Sequence, residues 1–149
     1  MILLVHLLLG ALIGKEVNNP YLAIPLAFLS HYFLDLLPHI EYPIENITKK
    51  QWSKSFPDFI KVFLDIFLGL LLIFLFSKNH PIIYVCAFFA ILPDGIAFLS
   101  YFIKSNFVKK HTFFHSEKIH FLKNKKISIF WRVASQVIVT VICVIVLKI

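Results

Sequence analysis

The stretch SHYFLDLLPH, residues 30–39, sets His31, Asp35 and His39 four positions apart inside an apolar run. On an α-helix that spacing stacks the three side chains on one face. Two imidazoles and a carboxylate in one stripe suit a metal ion or a proton relay. They also suit a hydrogen-bonded pair that merely tolerates burial. Similar residues recur in apolar company: His6 in VHLLLGALIG, Asp65 in FLDIFLGLL and Asp94 in AILPDGIAF. The stretch KKHTFFHSEKIH adds His111, His115, Glu117 and His120. An ionisable residue at mid-helix costs about 2.5–3.5 kcal/mol on membrane-insertion scales. So many of them argue for a shared role. Imidazole nitrogen and carboxylate oxygen are the ligands that suit zinc, and also iron, manganese or nickel. A divalent ion would neutralise Asp35, Asp65 and Asp94 in a low-dielectric setting. Three carboxylates and several imidazoles suffice for more than one ion. Two ions about 3.5–4 Å apart can hold a phosphoryl oxygen and supply a nucleophile. His111 and His115 form an i,i+4 pair that reads as a metal clip or as a solvated basic face. His115 is the preferred ligand there, with His111 and His120 as further candidates.

The elements that must position these residues are apolar. The chain has 149 residues, 59% hydrophobic and 15% charged. Its Leu, Ile and Phe fall in long runs, which places it in the membrane class. Five apolar segments emerge, at about 2–14, 21–37, 59–76, 82–103 and 127–147. None alternates as a strand does. The expected fold is all-α, a single integral-membrane bundle of about four to five helices over 1–149. The first segment is short for a span. MILLVHLLLGALIG lacks a basic leader region and a small-residue cleavage site, so it does not read as a cleaved signal peptide. Pro38 and Pro93 bend or end their helices. Either Pro38 re-aims His39, or it simply stops the helix at the interface. Cys86 and Cys143 stand in separate apolar segments and read as buried packing. Asp58 reads as a first-turn or capping acid. Glu41 and Glu45 read as solvated interface residues, and Trp52 and Trp131 as interfacial anchors.

The net charge of +7 could suggest nucleic acid. The basic residues lie between apolar runs, however, so topology and anionic headgroups explain them better. Lys49, Lys50, Lys54 and Lys61 surround the second connection. Lys104, Lys109, Lys110, Lys118, Lys123, Lys125, Lys126 and Arg132 surround the fourth. Only Lys15, Lys78 and Lys148 fall on the other side if all five segments cross. The positive-inside rule then puts the N-terminus and the second and fourth connections in the cytoplasm of an inner-membrane protein. His6, His31, Asp35, His39, Asp65 and His111–His120 all fall towards that side, and Asp94 falls near mid-membrane.

The early His6, the block NNPYLAIPLAFLSHYFLDLLPH, FLDIFLGLL, AILPDGIAF and FHSEKIH occur in that order from His6 to His120. In this the chain resembles the YdjM-like family of membrane-bound metal-dependent hydrolases, which is distantly similar to zinc-dependent phospholipase C. The resemblance implies a divalent metal, zinc by preference, and a phosphoester or phospholipid-like substrate. It also implies a site of His6, His31, Asp35, His39, Asp65, Asp94 and His115. After LPD the sequence continues GIAF, where some relatives carry another acidic residue. Asp35 or Asp94 is the candidate general base. The rival readings are a metal or proton carrier and a non-catalytic, metal-stabilised membrane scaffold. A carrier needs polar groups in both membrane halves, and the outer halves offer almost none.

Overall fold

The computed structural model describes residues 1–78, 80–122 and 125–149. Lys123, counted above among the basic residues, lies outside them. Among the described residues the chain has seven α-helices and no strand. The long ones are α1 (Leu3–Glu16), α2 (Pro20–Asp35), α4 (Phe56–Phe76), α5 (Pro81–Leu99) and α7 (Ile129–Lys148). Two short helices, α3 (Glu45–Thr48) and α6 (Asn106–Phe113), lie in the connections, and a π-helical segment, Phe114–Ile119, follows α6.

Three of the long helices, α4, α5 and α7, are long and apolar enough to cross a membrane. At 1.5 Å per residue α4 reaches roughly 31 Å, the thickness of a hydrocarbon core. Phe63, Phe67 and Phe74 of α4, and Val137, Ile138, Val141, Ile142 and Ile145 of α7, are exposed. Apolar surface of that extent needs lipid or a partner to cover it. α1 and α2 are shorter, roughly 21 and 24 Å.

α1 is apolar all round, which marks a helix buried on every side. It packs against α2, α4, α5 and α7. Its course is fixed at both ends. Leu3 N–H and Leu4 N–H donate to the two carboxylate oxygens of Asp65 in α4, at 2.7 and 3.3 Å. Ile2 N–H donates to Gln136 Oε1 in α7. At the other end Lys15 Nζ donates to Val146 O and Leu147 O, the last turn of α7. α1 therefore runs parallel to α7 and α4. Against α5 it is antiparallel, because Gly10 meets Ala90 and Cys86 while Gly14 meets Ile82 and Ile83. The sequence GALIG is a small-xxx-small pair of the kind that lets two membrane helices approach closely. A Cβ on Gly10 would lie 2.5 Å from Ala90 Cβ and 2.6 Å from Cys86 O.

α2 ends at Asp35. Pro38 cannot continue it, and Leu37 N–H turns back to Leu34 O at 3.0 Å. The three-residue stripe of SHYFLDLLPH is therefore a helical pair, His31 and Asp35, followed by His39 outside the helix. The fourth apolar segment also ends early, at Leu99 instead of 103. That moves Asp94 from mid-segment to the last two turns of α5. Cys86 and Cys143 are free and buried, as packing residues should be.

Replacement of Gly10 by Val should force α1 and α5 apart. Overpacking of this kind costs about 1–3 kcal/mol. A lowered thermal midpoint in detergent is the expected result, and an unchanged midpoint would show that the approach of these helices contributes nothing.

Candidate metal centre

The C-terminal turns of α2 and α5, the start of α1 and the π-helical segment meet at one end of the bundle. Asp35 lies at their meeting point, with no exposed side-chain surface. Its Oδ2 is 3.0 Å from His31 Nε2, 3.2 Å from His115 Nε2 and 3.1 Å from His120 Nε2. Its Oδ1 is 3.3 Å from His6 Nε2 and 4.0 Å from His39 Nε2, and accepts from the Met1 amino group at 2.7 Å.

Two groups of these residues could hold a metal ion. The first is His31, Asp35, Asp94 and His115, and the second is Asp35, His39 and His120. Asp35 belongs to both. In the first group five of the separations between facing atoms run from 2.9 to 3.7 Å. Ligands of a four-coordinate zinc, each about 2.0–2.2 Å from the ion, sit roughly 3.4 Å from one another.

The proton inventory supports a cation at the first group. His31 Nδ1 lies 2.8 Å from Ala90 O, an acceptor, so Nδ1 carries the proton. In the neutral ring Nε2 is then a bare lone pair. It nonetheless lies 2.9 Å from His115 Nε2 and 3.0 Å from an Asp35 oxygen. The His31 nitrogen and the Asp35 oxygen are both acceptors, and either a proton on His115 Nε2 or a cation between the three atoms holds them together. A backbone carbonyl on the second nitrogen is also the usual partner of a metal-ligating histidine. His39 repeats the device: its Nδ1 donates to Leu37 O at 2.7 Å, which aims Nε2 at the second group. By hydrogen-bond geometry neither nitrogen of His6 has a partner among the described residues, and neither does His120 Nε2. Buried nitrogens rarely stay unsatisfied.

The π-helical winding explains how His115 and His120 both reach one oxygen. On an α-helix five residues turn through about 500°, which leaves the two side chains roughly 140° apart. A π-helix closes i→i+5 bonds instead, and His120 N–H donates to His115 O at 3.2 Å. The wider turn brings residues five apart back towards one face. Burial alone would lower the His120 pKa, but Asp35 and Glu41 outweigh it and hold the imidazole up at about 9.

The remaining sequence candidates are placed as follows. His6 stacks on His31, with ring centroids 4.1 Å apart, behind the first group. His111 meets Tyr32 OH at 2.9 Å and belongs to neither group. Burial and the neighbouring His115 lower its pKa. Asp65 is not brought to either group; both of its oxygens cap α1, and Tyr42 donates to it as well. Asp58, in the first turn of α4, accepts from Asn46 N–H and Ile47 N–H and so caps α3. Glu41 is exposed, in keeping with a solvated residue, but it also lies 2.9 Å from His120 Nδ1 and 3.3 Å from His39 Nε2, beside the second group. Its signal was available in PHIEY, two residues from His39, but an acid next to an interfacial proline reads equally well as solvated.

A cavity of about 980 Å³ opens beside the two groups. Asp94, His39, His115 and His120 lie on its wall, and the rest is largely apolar, with Val62 and Ile66 of α4, Ile91 and Phe98 of α5, and Ile44 and Ile47 from the second connection.

Asp65→Asn separates a capping role from a ligating one. Loss of a capping carboxylate costs about 0.5–2 kcal/mol, so a lower thermal midpoint with unchanged metal content is expected. Loss of bound metal would return Asp65 to the ligand set.

Comparison with protein-family models, curated proteins and solved structures finds no match to this chain.

Proposed function

We propose that the chain is a membrane-embedded, metal-dependent hydrolase of a phosphoester, with a phospholipid-like amphiphile as substrate. The observation that carries this reading is the convergence of four imidazoles, those of His6, His31, His115 and His120, on Asp35, with His31 Nδ1 donating to Ala90 O so that Nε2 of the neutral ring is an acceptor. A packing pair would need one such nitrogen, not four. The resemblance to the YdjM-like group points the same way from sequence motifs alone.

His31, Asp94 and His115 would hold one ion, and His39 and His120 a second, with Asp35 shared. Zinc suits the nitrogen-rich set. Such ions polarise a phosphoryl oxygen and activate water near neutral pH. Asp35 is fully engaged through both oxygens and serves as the bridging ligand. Asp94 is 29% exposed and its nearest imidazoles are 3.6–3.7 Å away. Both imidazoles face its Oδ1, so that oxygen would hold the ion and Oδ2 would be the better general base, on the wall of the cavity where the reacting phosphoryl group would sit. The apolar wall suits an acyl chain better than a fully hydrated anion. The predominance of lysines on the connections at this end supports a cytoplasmic site, and those lysines would raise the local concentration of anionic headgroups.

Elemental analysis of detergent-purified protein is the first test. Wild type should carry one or more ions per chain, and Asp35→Ala should carry none. Absence of metal, even after reconstitution with zinc or manganese, would sink the hydrolase reading. With metal present, Asp94→Asn should slow turnover of a phospholipid substrate by about 10²–10⁴, the usual range for loss of a general base. Metal without turnover on any phosphoester would leave the non-catalytic scaffold.

A further inference from the structure

Arg132, in the first turn of α7, lies on the cavity wall near both metal groups. An arginine in such a place is commonly an anion clamp. Here four of its hydrogen bonds go to backbone carbonyls. Nη1 donates to His39 O at 3.2 Å. Nη2 donates to Leu122 O at 3.2 Å and to Lys125 O at 3.0 Å, and Nε to Ile127 O at 3.4 Å. Ser135, one turn further on, donates to Pro38 O. One face of α7 thus holds the chain at Pro38–His39 and again two residues after His120.

The two metal groups differ in what positions them. His31, Asp35 and Asp94 are on α-helices, and His115 is on the π-helical segment that continues α6. His39 and His120 both lie just outside helices, in stretches whose ends converge on Arg132. In the second group His39 Nε2 is 4.0 Å from Asp35 Oδ1, and three residues supply ligands instead of four.

We propose that the two metal positions load unequally. The position of His31, Asp35, Asp94 and His115 is set by the helices. The position of Asp35, His39 and His120 depends in addition on Arg132, seconded by Ser135, which holds the two loop ends together. Arg132 is thus a positioning residue for the second ion. This inference rests on the metal reading above, and the test separates the two.

Zinc is titrated into the full chain in detergent, with bound ions counted after removal of excess. Wild type should bind two, the second more weakly. Arg132→Gln should bind the first unchanged and weaken the second by about 10- to 100-fold, the usual effect of removing a group that orients a ligand. Arg132→Lys, which cannot span four carbonyls with one ammonium, should recover only part of the loss. Ser135→Ala should shift the second ion in the same direction by less, and it decides the matter if the Arg132 variants do not fold. A merely structural role would lower the thermal midpoint without separating the two ions. Two unweakened ions in both Arg132→Gln and Ser135→Ala would overturn the inference, as would equal weakening of both ions. A single ion in wild type would overturn it while leaving the metal reading intact. No ion in wild type would overturn both.

Discussion

Asp35 is sealed from solvent, and ring nitrogens of His6, His31, His115 and His120 lie within 3.3 Å of its two oxygens. A carboxylate removed from water costs several kcal/mol even after relaxation. It persists only where positive charge or donors surround it. Four separate parts of the chain meet that demand: α1, α2, the π-helical segment and the stretch that follows it. The packing of the bundle is consequently organised around one oxygen pair. The close approach of α1 to α5 at Gly10 places His6 behind His31. The same α5 supplies Ala90 O to His31 and Asp94 to the opposite side of the group.

α1 has a second consequence. It begins beside Asp65, nine residues into α4, or roughly 14 Å from the start of that helix. The N-terminal amides of a helix cannot be left bare in an apolar interior. Asp65 and Gln136 answer that need from the two flanking helices. The buried polar residues of α4 and α7 thereby make it possible for a short helix to start inside the bundle, which leaves room above it for the metal groups.

Residue types and spacing alone carried the all-helical class, the five apolar elements and the pairing of His31 with Asp35. The composition of those runs has few alternatives. Periodicity was less able to assign roles to single polar residues. Asp65 and Asp94 look alike in sequence, each an acid in an apolar helix, yet one caps α1 and the other faces the cavity. The difference depends on what lies across the interface, which a single helix does not encode. For His39 the sequence left two readings open, a helix bent at Pro38 or one stopped there, and the end of α2 at Asp35 decides for the second. The partnership of His115 with His120 depends on π-helical winding, and an α-helical wheel separates them. Arg132 reads in sequence as a topological charge because backbone carbonyls such as His39 O and Leu122 O, to which it donates, leave no mark on composition.

The setting of the site bears on what can reach it. The cavity beside the two groups is walled by α4, α5, the second connection and the π-helical segment. A hydrated phosphate would have to shed water on the way in and would then meet a largely apolar wall. An amphiphile already in the bilayer meets that wall with its chain and brings only its headgroup to the histidines. For the proposed reaction the energetic asymmetry would favour the amphiphile, because the apolar part of the ligand would leave one hydrocarbon setting for another while only its headgroup met the histidines and Asp94. A site so placed would select a ligand chiefly by where that ligand resides.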